Sequence, residues 1–300
     1  MIGFLFIVAA CAFWALDTLI RYPLLQSGVS AVSIVFYEHA LLTLFFSIFF
    51  FKSVKKIFKS NFSKLKYFII VGGIGSALST LAFTFAFNYL NPSLVIILQK
   101  FQPVVAISLA HFVLKEKIKR EFIFWAFICL LGTLIIGYED ILNITHTNED
   151  ILQLLFNSKS TKGYLLVAFS VIGWGASTVF GKKLVQVGFQ DEEIMAGRFI
   201  TGFIFLLPVL AFNQTILIQS VDFFSKISLL VFVSGLLAMY LYYHGLRKVS
   251  ARSCSLAELF FPFMAVIVNW LFLGAVLSPI QIIGGGLLLV GSLVIQLKHY

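Results

Sequence analysis

Five ionisable side chains stand inside stretches that otherwise carry almost no charge: Asp17, Glu38, Lys100, Arg198 and Glu258. A charge in apolar surroundings is costly unless it is paired or serves a pathway, so each is a candidate for work on a solute or an ion. Around them lie residues of neutral chemistry. Trp14 and Trp174 offer flat faces with one N–H each, Tyr243 a ring with a hydroxyl, and Gln99 an amide donor and acceptor. Together these types can hold a polar or zwitterionic solute by ion pairing, hydrogen bonding and cation–π contact. Tyr37, Tyr240 and Tyr242 could add to the aromatic surface, although Tyr-rich helical faces more often meet lipid or the interface. His111 and His244 read as packing or inner-surface residues. HExxH, GxSxG and P-loop patterns are absent from the sequence, so ATP hydrolysis cannot be an internal drive. Cys11, Cys129 and Cys254 lie in apolar runs without metal-site spacing and are expected to pack. No metal and no cofactor is expected.

The elements that position these groups follow from composition. Of 300 residues, 60% are hydrophobic and 12% charged. A soluble domain carries about 25% charged residues, so lipid is the medium that fits. Apolar runs of near-spanning length fall at 2–20, 31–51, 67–89, 92–114, 121–138, 163–185, 192–212, 227–247, 252–276 and 279–297. The expected fold class is therefore an all-α polytopic membrane protein with ten transmembrane helices. The first run lacks a basic leader and holds Asp17, so it reads as a spanning helix and not a signal.

With the N-terminus inside, sixteen Lys and Arg fall in inner loops and four (Arg21, Lys159, Lys162 and Lys226) in outer ones. The bias places both termini in the cytoplasm and explains the net charge of +9 without nucleic acid. A bacterial inner (plasma) membrane is the expected location. The longest outer segment, 139–162, holds a stretch, Ile151–Phe156, that is too short to span and suits the interface. Sequons at Asn143 and Asn213 read as coincidental.

The second half echoes the first. At a shift of 160 residues, 8 of the 36 positions from Gly3 to Glu38 are identical, among them Trp14 with Trp174, Gln26 with Gln186 and Gly28 with Gly188. A shift of 159 pairs Pro103 with Pro262 and Gly132 with Gly291. Residues 1–138 thus form one five-helix repeat, 139–162 an external linker, and 163–300 a second repeat. Five is odd, so the second copy enters the membrane inverted. In transporters such repeats flank a midplane solute site and permit alternating access.

These features resemble the drug/metabolite transporter superfamily, specifically its EamA-type members, over nearly the whole chain. The resemblance rests on Ala12-Phe13-Trp14-Ala15 and its repeat Ile172-Gly173-Trp174-Gly175. It also rests on Gln102-Pro103 followed by Leu114-Lys115-Glu116-Lys117-Ile118, and on Phe261-Pro262 followed by Leu273-Gly274-Ala275-Val276-Leu277. The second acidic turn departs from the family pattern at Ala275. The resemblance implies helices 1–4 and 6–9 around a central cavity, with helices 5 and 10 outside. It implies transport of small organic solutes, often amino acids or related metabolites, commonly outward and sometimes with protons.

The repeat arranges the charges. Glu38 aligns with Arg198, and Gln99, beside Lys100, aligns with Glu258. By helical rise, Glu38 and Lys100 lie roughly 10–12 Å below the outer surface, and Arg198 and Glu258 roughly 9–11 Å above the inner one. The expectation is an outer gate, Glu38–Lys100, and an inner gate, Arg198–Glu258, each also readable as a static pair that only orders packing. Asp17 aligns with neutral Ser177, so it reads as a carboxylate without a fixed partner, able to take a proton or a cationic group, or else as one that snorkels to the outer surface or pairs with Lys100 in place of Glu38. His39 sits about 100° round the helix from Glu38 and need not share its cavity. The function expected is secondary transport of a small polar or zwitterionic metabolite, amino-acid-like or nucleoside-like, by proton coupling or exchange. The alternatives are an integral-membrane lipid-handling enzyme and a non-transporting receptor or scaffold. The expected partners are the solute, protons and the lipid bilayer. Monomer and dimer stay open.

Overall fold

The computed structural model describes residues 2–60, 62–113, 115, 118, 120–136, 138, 159–212, 219–249, 257–258 and 260–297. The described chain is helical. Ten rods run as α1 (Ile2–Gln26), α2 (Ala31–Phe49), α3 (Lys64–Ala86), α4 (Pro92–Val113), α5 (Arg120–Ile136), α6 (Lys159–Gln186), α7 (Asp191–Phe212), α8 (Val221–Lys248), α9 (Phe260–Leu273) and α10 (Pro279–Leu297). A short amphipathic helix, Phe51–Phe58, joins α2 to α3 and buries Val54 and Ile57 while its lysines face outward. Among the described residues, seven helices are long and apolar enough to cross a membrane, with shorter apolar helices beside them. The protein is a polytopic helical membrane protein. The stretch Ile151–Phe156, both sequons and Cys254 lie outside the described residues.

Three described boundaries differ from the sequence reading by four residues or more, among them the start of α8 at Val221 instead of 227. Helix α1 runs on through Pro23 to Gln26, so Arg21 lies inside a helix, only 2% exposed, and not in an outer loop. Helix α6 begins at Lys159, four residues before the expected start of the second repeat.

Local chemistry sets the helix ends. At the end of α1, Gly28 N–H donates to the Leu25 carbonyl and Val29 N–H to Leu24, with Gly28 at φ 89°. At the end of α6, Gly188 N–H donates to Val185 and Phe189 N–H to Leu184, with Gly188 at φ 96°. This is the Schellman arrangement, whose left-handed residue is normally glycine. It recurs at a spacing of 160 residues. Asn91 caps α4 ahead of Pro92, and Ser278 and Gln281 cap α10 reciprocally ahead of Pro279.

The packing partners also recur. Helix α1 packs on α8 and α9; α6 packs on α3 and α4; α2 packs on α7; and α5 packs on α10. Exchanging helices 1–5 for 6–10 leaves this set unchanged. The α5–α10 pair is glycine-faced, since a methyl on Gly132 would run into the α10 backbone at Gly284, and one on Gly284 into Gly132.

Helices α3 and α8 carry matching irregular turns. Residues Ile69–Leu78 of α3 and Val231–Ala238 of α8 are π-helical. Moving the second by 160 residues places it at 71–78, inside the first. Such bulges cluster at functional sites in other proteins. Here Gly72 and Gly75 press α3 against α7 and α6 so closely that a methyl at either would overlap Arg198 or Ser177.

Candidate functional site

Helix α4 shows how the backbone brings polar groups inward. Pro103 has no N–H, so the Gln99 carbonyl lacks its α-helical donor. The helix tightens to a 3-10 turn over Gln99–Phe101, in which Gln102 N–H serves that carbonyl instead. The turn holds Gln99 and Lys100, each 7% exposed, at the centre of the bundle.

A cavity of about 190 Å3 lies there. All nine residues expected to bind or gate a solute line it: Trp14, Asp17, Glu38, Gln99, Lys100, Trp174, Arg198, Tyr243 and Glu258. The sequence reading missed several others, chiefly Arg21, His39, Ser76, Phe83 and Gly181. Tyr242 lines it too, whereas Tyr37 packs against Phe223 and Phe224, and Tyr240 is 45% exposed and stacks on His244.

The partners of the charges differ from those expected. Arg21 Nε donates to Asp17 Oδ1 at 2.6 Å, and Nη2 donates to Asp17 Oδ2 at 2.8 Å and Glu38 Oε2 at 3.0 Å. Its Nη1 donates to Thr84 Oγ1 at 3.2 Å. Asp17 is therefore not an unpaired carboxylate, and Glu38 pairs with Arg21 from α1 instead of Lys100. The fork-on-carboxylate geometry at Asp17 is the strong form of such a pair. Asp17 and Arg21 are four residues apart on one helix, where facing is a consequence of helical geometry.

Lys100 Nζ donates to the Glu258 backbone carbonyl at 2.9 Å and lies 5.5 Å from the Phe261 ring centre. Glu258 is the repeat counterpart of Gln99. The structure therefore sets Lys100 against the Glu258 segment, the counterpart of its own neighbourhood in the other repeat, and not against Glu38.

Arg198 is bound by hydroxyls. Its Nε donates to Ser76 Oγ at 3.1 Å, and Nη1 to Ser177 Oγ at 3.2 Å and Tyr243 OH at 3.3 Å. The chain continues to His39, whose Nε2 lies 3.1 Å from Ser76 Oγ and whose Nδ1 lies 2.9 Å from the Val35 carbonyl. A carbonyl only accepts, so Nδ1 carries the hydrogen and the neutral ring accepts at Nε2. Ser76 then accepts from Arg198 and donates to His39, leaving neither without a partner. His39 shares the cavity after all, because the π-helical turn of α3 brings Ser76 between it and Arg198.

Aromatic walls flank these groups. Trp14 packs on Tyr242 at 5.3 Å between ring centres, and its Nε1 donates to the Ser234 carbonyl at 3.3 Å. Trp174 packs on Phe83 at 5.0 Å. The repeat-related tryptophans thus face the cavity from α1 and α6. Formal charges balance around it: Asp17, Glu38 and Glu258 against Arg21, Lys100 and Arg198, three of each sign.

Comparison with known proteins accords with this architecture. The riboflavin transporter ImpX of Fusobacterium nucleatum is 32% identical to the chain, over 98% of this chain and 97% of that protein. A protein named as an uncharacterized transporter of Clostridium kluyveri is 25% identical, over 97% and 92% respectively. A solved crystal structure superposes with a TM-score of 0.59 at 16% identity, covering 99% of this chain and 97% of that one, and so shares the fold. The model of the EamA-like transporter family matches twice, over residues 1–138 and 161–297. The chain belongs to the EamA-like transporter family, of the drug/metabolite transporter superfamily.

Proposed function

We propose that this transporter moves a flat, polar heteroaromatic metabolite of no net charge through the central cavity by alternating access, and that riboflavin is the first solute to test. One observation carries the reading. The cavity pairs balanced charge with two tryptophan-centred aromatic walls. Balanced charge gives little net attraction to an ion, whereas flat walls and many hydrogen-bonding groups suit a ring system with polar edges. The name of the 32%-identical relative supports the same class of solute. Within the expected classes, this favours the nucleoside-like solute, a heteroaromatic ring with a polyol arm, over the amino acid.

In this reading both termini face the cytoplasm, and the two five-helix halves rock about the cavity. The Asp17–Arg21–Glu38 cluster, towards the outer ends of α1 and α2, is the outer closing element. The driving force is the solute gradient or exchange.

A thermal-shift screen of the purified protein tests the solute class, because a ligand that binds only the folded state raises apparent stability by mass action. Riboflavin should raise the melting temperature, and proteoliposomes should then accumulate it. Amino acids that shift the protein while riboflavin does not, with matching uptake, would replace this reading with the zwitterion.

A further inference from the structure

We infer that Arg198 is the residue that recognises the solute, by donating from its Nη2 amino group to acceptors on the edge of the solute ring; the inference rests on the transport reading above. Of the three cations around the cavity, Arg21 is held by two carboxylates and Lys100 sits against Glu258. All the hydrogen bonds of Arg198 go to uncharged hydroxyls, and they use Nε and Nη1. A guanidinium has five N–H donors, two of them on Nη2. Those two bond to no described residue, although the side chain lines the cavity and is only 7% exposed.

The repeat explains why. Arg198 stands where the first half has Glu38. The group that pairs Glu38 in the first half is Arg21 on α1, itself held by Asp17, and the counterparts of Arg21 and Asp17 on α6 are Gly181 and Ser177. Ser177 gives Arg198 a neutral acceptor. Gly181 gives it nothing, and a methyl built there would meet only the Tyr243 ring, at 3.9 Å. The first half fills this corner with its own ion pair, whereas the second leaves a buried cation facing open cavity. A buried cation whose hydrogen bonds all go to neutral groups, with donors left over, gains from an acceptor brought to it.

A second donor is also free. The Gln99 Nε2 group, on a residue that lines the cavity, is buried and bonds to no described residue. The solute edge that fits is planar and rich in carbonyl or ring-nitrogen acceptors, which a guanidinium engages two at a time. The pyrimidine-dione edge of riboflavin has that form.

Equilibrium dialysis of the purified protein against riboflavin, and against lumiflavin, which keeps the ring edge and carries a methyl in place of the ribityl chain, tests the assignment. Arg198→Gln should weaken both probes by about 10- to 100-fold, the worth of a hydrogen bond to a charged group. Arg198→Lys keeps the charge but loses the planar fork, and should weaken both by at least several-fold. It decides the matter if the glutamine variant does not elute as a monodisperse peak. Wild-type affinity in either folded variant overturns the inference. So does a loss confined to riboflavin, which would place Arg198 against the ribityl chain. If the wild type binds neither probe, the solute reading falls, and this inference with it.

Discussion

Replacing Arg21 by glutamine removes the cation that two carboxylates share. The Arg21 side chain is 3% exposed, Asp17 12% and Glu38 9%, so none can turn to bulk water without moving a helix. Breaking a buried ion pair from one side costs about 3–5 kcal/mol, because it strands an uncompensated charge. Here it strands two of like sign. At about 2–4 °C per kcal/mol, the melting temperature in detergent should fall by on the order of 10 °C. Lys226→Gln is the comparison: its pair with Asp222, also four residues apart, is 47% and 69% exposed, and such surface pairs contribute less than about 1 kcal/mol. Neutralising the whole cluster, as Asp17→Asn with Arg21→Gln and Glu38→Gln, should recover much of the loss, since no stranded charge then remains. If Arg21→Gln melts no lower than Lys226→Gln, or the triple variant melts no higher than Arg21→Gln, the cluster is not the buried electrostatic unit argued here.

Asp17→Asn should impair net transport and solute exchange together, because Asp17 holds Arg21 in place; loss of pH dependence with exchange intact would instead make it a proton carrier. Gly28→Ala and Gly188→Ala should each cost about 1–2 kcal/mol through the left-handed backbone alone, as nothing lies within 4 Å of a methyl at either. Gly286→Ala, in mid-helix with equal space, should raise the melting temperature slightly by helix propensity, and a fall there would break the contrast. In a background lacking Cys11, Cys129 and Cys254, an impermeant thiol reagent outside intact cells should label Ser158→Cys and miss Ser60→Cys, and the reverse pattern would invert the proposed topology.

The helices, their order and the polar residues of the cavity were legible because burial in lipid demands long apolar runs, and any charge within one stands out. Arg21 was missed for the same reason: it lies near the end of its run, where basic residues normally belong to a loop. Asp17, four residues earlier, was the available signal. The pairing of Lys100 with the Glu258 segment was not legible, since it depends on how closely α4 and α9 approach each other. That approach is a property of two helices packed together, which side-chain patterns along a single helix do not encode. His39 was set aside on helical angle, but the π-helical turn of α3, signalled only by Gly72, Gly73 and Gly75, carries Ser76 to it. Arg198 stood out as a charge, whereas its freedom could be seen only once its neighbours were known.

The even balance of formal charge around the cavity bears on energy supply. The membrane potential does about 2.3 kcal/mol of work per 100 mV on each elementary charge that crosses the bilayer. In the proposed reading, with all six groups ionised and an uncharged solute moving alone, a cavity with three charges of each sign carries no net charge across when it changes the side it faces. In that reading the cell's voltage has no net charge to act on in either step of the cycle. Flux of such a solute, in that reading, is set by its chemical gradient on the two sides, and any reaction that removes it on the receiving side sustains that flux.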